Sequence, residues 1–140
     1  MNAVIRLPLN IDCNVRVVEV TPSAKADRYT KIPSSDPLGL EGTFEFQYTY
    51  PLSKTAVFKH ALTKDMSGLD LLLLGRADYE RIYREEDGDV GAPTPMIPGM
   101  LNRQQSDGRW GIWGHVIDDL FFEGIEIDHC KSTISFGMGS

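Results

Sequence analysis

The chain has 140 residues, of which 41% are hydrophobic, 9% aromatic and 24% charged, with a formal net charge of −6 at pH 7. That length is one domain's worth of chain, here residues 1–140, and the composition is that of a folded globular protein rather than a disordered or fibrous one. The longest purely apolar run, Leu71 to Leu74, is far short of the roughly 18 residues a membrane-crossing helix needs, and a net negative chain is a poor match for nucleic acid, which selects clustered Lys and Arg.

Taken in chain order, Ala3 to Leu9 is apolar with Pro8 near its end, which suits an edge strand. Asn14 to Val20 is rich in β-branched residues and reads as a second strand, close enough to the first to form a hairpin. Residues 21–42 hold three prolines and two glycines and read as loop, with one short strand at Tyr29–Ile32. From Thr43 to Tyr50, Phe44, Phe46, Tyr48 and Tyr50 alternate with polar residues, the period of a strand with one buried aromatic face. Lys54 to Ala61 reads as its antiparallel partner.

Ser67 to Asp87 is the one convincing helix. Ser67 can cap it, with Asp70 three residues on. Leu69, Leu72, Leu73, Arg76, Ala77, Tyr79, Ile82 and Tyr83 follow helical spacing along a stripe expected to pack on a sheet. Glu80–Arg84 and Arg81–Glu85 are spaced to pair on the outer face, and Gly75 marks a point where the helix can kink or split. Gly88 to Arg109 reads as a long loop, anchored over the sheet edge by Met96, Ile97, Met100 and Leu101. Trp110 to Ile117, Leu120 to Asp128 and Ser132 to Phe136 read as three further strands, the last two joined by a turn at His129–Lys131. The expected fold is α+β: six or seven mostly antiparallel strands with one helix, open to a kink, across one face. A lipocalin-like barrel is the weaker alternative.

Charge is unevenly spread. Residues 1–64 carry a net +2 and residues 65–140 a net −8, and there is no Lys or Arg between Gly111 and Cys130. The acids fall in two runs, Glu85, Glu86, Asp87 and Asp89, then Asp118, Asp119, Glu123, Glu126 and Asp128. A one-sided field of this kind steers cationic ligands, although a solvated acidic face is its ordinary meaning. Cys13 and Cys130 have no metal-binding or redox spacing and read as free thiols of a reducing compartment. The first residues do not have the pattern of a secretion signal, so the expected location is cytoplasmic.

The densest segment is Trp110-Gly-Ile-Trp-Gly-His115-Val-Ile-Asp118-Asp119. As a strand it places Trp113, His115 and Ile117 on one face, opposite Trp110, Ile112 and Val116, with gaps at Gly111 and Gly114. The expected ligand-binding set is Trp110, Trp113, His115, Met96, Met100 and Arg103, lining an acidic depression between the 88–109 loop and the 110–119 segment. Its ligand would be a small cationic molecule or a basic protein surface, as in an inhibitor or immunity-type role. The alternative is a small acid–base enzyme, a hydrolase or isomerase, using Glu123, His115 and Asp118. In a regular strand Glu123 lies among Phe121, Ile125 and Ile127, where an unpaired carboxyl would be perturbed. A β-bulge there, or pairing with Arg103 or Arg109, removes that argument. His115, Asp118, Asp119, His129 and Cys130 lack the spacing of a metal site, and neither metal nor cofactor is expected. A homodimer through an edge strand is a third possibility.

Ile97-Pro-Gly-Met-Leu-Asn-Arg103, Trp110-Gly-Ile-Trp-Gly-His115 and Asp119-Leu-Phe-Phe-Glu-Gly-Ile-Glu126 together resemble small bacterial proteins carried on the mobile gene cassettes of integrons. The resemblance covers about the last third of the chain. It implies a stand-alone accessory cytosolic protein, with no activity and no residue role attached.

Overall fold

The alternating aromatic run becomes an inner strand of the sheet, with a neighbour on each side. The computed structural model describes residues 5–6, 15–20, 29–32, 36–91, 95, 97 and 103–139. Its elements are β1 (Ile5–Arg6), β2 (Val15–Val20), β3 (Tyr29–Ile32), β4 (Gly42–Tyr48), β5 (Ala56–Leu62), α1 (Gly68–Val90), β6 (Phe121–Asp128) and β7 (Thr133–Gly139). The strands whose side chains are described form a mixed sheet in the order β6-β7-β4-β5. Beyond β6 the order continues to β2 and β3, and β1 also pairs with β6.

Among the described residues the class is α+β with one α-helix, but the sheet is not the mostly antiparallel one expected. β4 lies parallel to β7, and β2 parallel to β6. The chain leaves β5 through α1 and returns as the β6–β7 hairpin at the free side of β4; a crossover of that length allows parallel neighbours where a tight turn would not. The expected hairpin between the first two strands is also corrected. β1 and β2 each pair with β6, at Ile5↔Phe122 and Val17↔Ile125, and so follow one another along the same edge.

Period-two burial holds where it was clearest. Phe44, Phe46 and Tyr48 of β4 are buried, and Ile125, Ile127 and Ile134 meet them on the same face. A fully buried side chain of this kind contributes about 1.5–3 kcal/mol. β6 departs from strict alternation at one place. Its register slips between Phe122 and Gly124, so Glu123 is the extra residue of a β-bulge. Phe122 and Ile125 both turn into the core, and Glu123 is exposed. The expected apolar surroundings of Glu123 are therefore absent; its carboxylate lies across Gly139 of β7, beside Phe121.

Helix α1 begins as its sequence predicts. Ser67 Oγ accepts from the Asp70 N–H at 3.3 Å, and Asp70 Oδ2 accepts the Ser67 N–H at 2.8 Å. Its end is closed by Gly91 at φ 85°, whose N–H donates to the Asp87 carbonyl. The helix runs unbroken through Gly75 and does not split there. Glycine is there for space: a Cβ would lie 2.8 Å from the Phe136 ring. The buried stripe is Leu71, Leu72, Gly75, Asp78, Tyr79, Ile82, Tyr83 and Glu86, rotated from the expected one. Leu73, Arg76 and Ala77 face outward instead, where with Glu80 they line an open groove of about 240 Å³. Arg81 pairs with Glu85 as expected, whereas Glu80 pairs with Arg76 rather than Arg84.

Candidate functional site

Four carboxylates, Glu85, Glu86, Asp87 and Asp89, crowd the end of α1, whose last turn contains no basic residue. That is the unfavourable sign for a helix C-terminus, where the exposed carbonyls already carry negative partial charge. The following chain compensates by returning over them. Arg103, buried, donates from Nη2 to Asp87 Oδ1 at 3.1 Å. Arg109 reaches Asp89 through Nε at 2.8 Å and Glu85 through Nη1 at 3.0 Å. The Arg109 guanidinium, hydrogen-bonded to Asp89, holds that carboxyl down at about 2.

Glu86, fully buried on the core side of the helix, does most to fix the returning segment. It accepts hydrogen bonds from Ser106 Oγ at 2.6 Å and from the N–H groups of Gly108 at 2.8 Å and Trp110 at 2.9 Å. Longer contacts come from the N–H groups of Gly111 at 3.3 Å and Ile112 at 3.4 Å. Burial pushes the Glu86 carboxyl up, but the donors, Ser106, Trp110, Gly108 and Ile112, together outweigh it and hold it below its ordinary value. The first acidic run is thus consumed inside the fold and is not a free acidic face.

The segment Trp110 to Ile117, expected as a strand, is instead a loop ending in a 3-10 turn at Ile117–Asp119. It makes only isolated bridges, Leu52↔Ile112 and Arg103↔Gly114. Its glycines explain why. Gly111 at φ 59° and Gly114 at φ 74° take left-handed conformations that break an extended run. Between them Ile112 is driven fully into the core and Trp113 is turned out, 39% exposed. The Trp113 N–H is tied to the Pro51 carbonyl at 2.9 Å, which fixes the loop against the end of β4.

Around Trp113 the structure gathers Tyr50, His115 and Asp119. The Tyr50 and Trp113 rings meet edge to face, 5.2 Å between centroids at 86°, and the His115 ring lies 6.0 Å from Trp113. Tyr50 Oη and His115 Nε2 are 2.9 Å apart, and His115 Nδ1 faces Asp119 Oδ2 at 3.6 Å. Two helix tyrosines brace the group from below. The Tyr79 hydroxyl donates to the Tyr50 carbonyl at 2.8 Å and the Tyr83 hydroxyl to the His115 carbonyl at 2.9 Å. Burial pushes both hydroxyls far up, so they remain donors. The arrangement offers a partly exposed indole, an imidazole hydrogen-bonded to a phenol with a carboxylate 3.6 Å beyond it, and Asp118 exposed in the adjoining turn.

Of the expected site residues, Trp113 and His115 are brought together. Trp110 stands apart, edge-on to Phe58 at 6.0 Å and covered by Arg109. Arg103 is a buried strut under Tyr83 rather than a ligand contact. Met96 and Met100 lie outside the described residues, as do Cys13 and most of the 92–102 stretch. Glu123 does not converge with His115 as the enzyme reading required. Phe122 packs toward Tyr79 of the helix, so Glu123 points to the other face of the sheet, whereas His115 is held on the helix side by Tyr83. Among the described residues no three His, Cys, Asp or Glu gather as metal ligands do. Tyr50 and Glu86 were missed. Tyr50 ends the aromatic alternation and looked like one more core residue. Glu86 had a signal, standing three residues after Tyr83 on the buried stripe.

Among the described residues these features define a small α+β fold with one α-helix and an aromatic corner at the end of its sheet. Comparison with protein-family models, with curated proteins and with solved structures returned no match in any of the three. Among the described residues no helix is long and apolar enough to cross a membrane.

Proposed function

We propose that the protein is a binding module that holds a cationic group against Trp113, with Asp118 and Asp119 supplying the opposite charge. The observation that carries the reading is the outward indole of Trp113, held rigidly beside Tyr50 and His115 rather than buried. Large aromatics gain most from burial, so an indole left 39% exposed still has apolar surface to offer a ligand. An exposed indole face attracts a cation through the ring quadrupole, by about 0.5–1 kcal/mol at the surface and more when water is excluded. The lack of any Lys or Arg from Gly111 to Cys130 leaves that attraction unopposed within the segment. An accessory cytoplasmic protein, as the cassette resemblance implies, fits this role.

Thermal unfolding against polyamines, basic peptides, neutral sugars and anionic metabolites tests it. A ligand at 100 times its Kd adds about 2.7 kcal/mol, which at roughly 3–4 °C per kcal/mol raises the melting temperature by about 8–10 °C. The reading expects shifts from cations alone, absent in Trp113→Ala. No shift with any cation, or an equal shift in the variant, counts against it.

The Asp119–His115–Tyr50 chain favours a second reading, acid–base chemistry centred on His115. It differs from the first in one outcome: Tyr50→Phe, which keeps the ring against Trp113 but removes the hydroxyl at His115 Nε2, would lower turnover in a substrate screen while leaving cation binding at Trp113 in place.

A further inference from the structure

We propose that the cation taken at Trp113 is the guanidinium of an arginine presented by a partner protein; the inference rests on the cation reading above and narrows it. The argument comes from what this fold does with its own arginines. Arg81 lies over the Phe58 ring at 4.5 Å while its Nε donates to Glu85 at 2.7 Å. Arg103 lies over Tyr83 at 5.2 Å and donates to Asp87 at 3.1 Å. Arg109 lies over Trp110 at 5.4 Å and donates to Asp89 at 2.8 Å. In all three a flat cation covers a ring face while its N–H edge reaches a carboxylate. A guanidinium can do both at once because it is planar, weakly hydrated and carries donors around its rim; an ammonium is a compact, strongly hydrated point charge.

Trp113 and the 3-10 turn repeat the ring and carboxylate halves of this arrangement. Among the described residues no guanidinium lies over Trp113. Asp119 is one imidazole away, its Oδ2 engaged by the Val116 N–H at 3.2 Å and by His115 at 3.6 Å. Asp118 beside it is exposed. Trp113 is therefore a ring without an internal arginine, with Asp119 reached through His115 and Asp118 in the same turn. Desolvation selects the source. The residues flanking an arginine within a chain exclude water from the indole, where the cation–ring attraction is stronger, whereas the hydrated α-ammonium and α-carboxylate of free arginine keep the contact wet. Arginine and tryptophan are also the residues most often found as anchors in protein interfaces.

The test uses the full chain labelled with ¹⁵N, whose two tryptophans give two indole N–H signals assigned with Trp113→Phe. Capped Gly-Arg-Gly, capped Gly-Lys-Gly, the citrulline analogue and free arginine are titrated in turn. The inference expects the arginine peptide to move the Trp113 signal with affinity about tenfold above the lysine peptide and free arginine, and the neutral citrulline peptide to leave it in place. Asp118→Asn and Asp119→Asn should each weaken the arginine response; Asp118 is exposed, so its variant reports even if Asp119→Asn disturbs the turn. Equal responses to lysine and arginine would overturn the guanidinium inference and leave the cation reading standing. A free-arginine response as strong as the peptide's would overturn the protein-borne source. No movement with any cation, or movement of Trp110 alone, would overturn both readings.

Discussion

Replacing Glu86 by alanine removes the common acceptor of five donors at a position fully closed to water. The contacts at 3.3 and 3.4 Å contribute little. Ser106, buried, and Gly108 and Trp110, half-buried, each lose a charge-assisted bond at 2.6–2.9 Å, at about 1–2 kcal/mol apiece. The expected loss is about 3–5 kcal/mol, a large share of the roughly 5–15 kcal/mol that holds a domain together. For a chain of this size that lowers the melting temperature by roughly 10–17 °C. Glu86→Gln keeps one acceptor oxygen but aims an NH₂ at the remaining donors, so it should fall between alanine and wild type. Thermal unfolding followed by circular dichroism reads both. A loss below about 1 kcal/mol for Glu86→Ala would refute the idea that this carboxylate holds the 106–112 segment in place.

The same carboxylate makes stability depend on acid. The folded-state values of Glu86 and Asp89 are lowered, so their contribution is present above pH of about 4.5 and is lost as pH falls through the folded values, down to about 2 for Asp89. Wild type should lose stability across that window in a urea titration, and Glu86→Gln should show a shallower decline. Gly75→Ala should destabilise by about 1 kcal/mol, because overpacking against Phe136 outweighs the gain in helix propensity, whereas Gly88→Ala, with open space around it, should stabilise by up to about 1 kcal/mol. If Gly75→Ala were the more stable, the close fit would be wrong. Asp78 is buried and accepts from the Tyr48 hydroxyl and, at 2.7 Å, from His60 Nε2. Asp78→Ala should therefore cost about 3 kcal/mol by denaturant unfolding, and Tyr48→Phe about 1–2 kcal/mol. Ser67→Ala, which opens the capping box, should cost about 1 kcal/mol by the same measurement.

Local rules carried the reading of β4, β5, the start of α1 and the β6–β7 hairpin, because in each the spacing of apolar residues and the turn chemistry point the same way. They failed where distant partners decide. Whether β4 meets β7 in parallel depends on how the chain crosses over, and no residue in either strand records it. Trp110 to Ile117 alternates like a strand, yet left-handed Gly111 and Gly114 and the pull of Glu86 from another element make it a loop. The acidic run 85–89 looked like a free surface because its counter-charges, Arg103 and Arg109, lie 16–24 residues further along. The site was half legible. Trp113 and His115 stood out as unusual residues, while Tyr50, from the far side of the molecule's sequence, looked like ordinary core.

The account turns on Trp113 as an outward, pre-set cation contact. Isothermal titration of a capped, arginine-rich hexapeptide into wild-type protein and Trp113→Ala, with their melting temperatures compared beforehand, tests that most directly. Saturable heat in the wild type, lost in a variant that melts within a few degrees of it, is the predicted result. No heat in either protein, or the same heat in both, would contradict it.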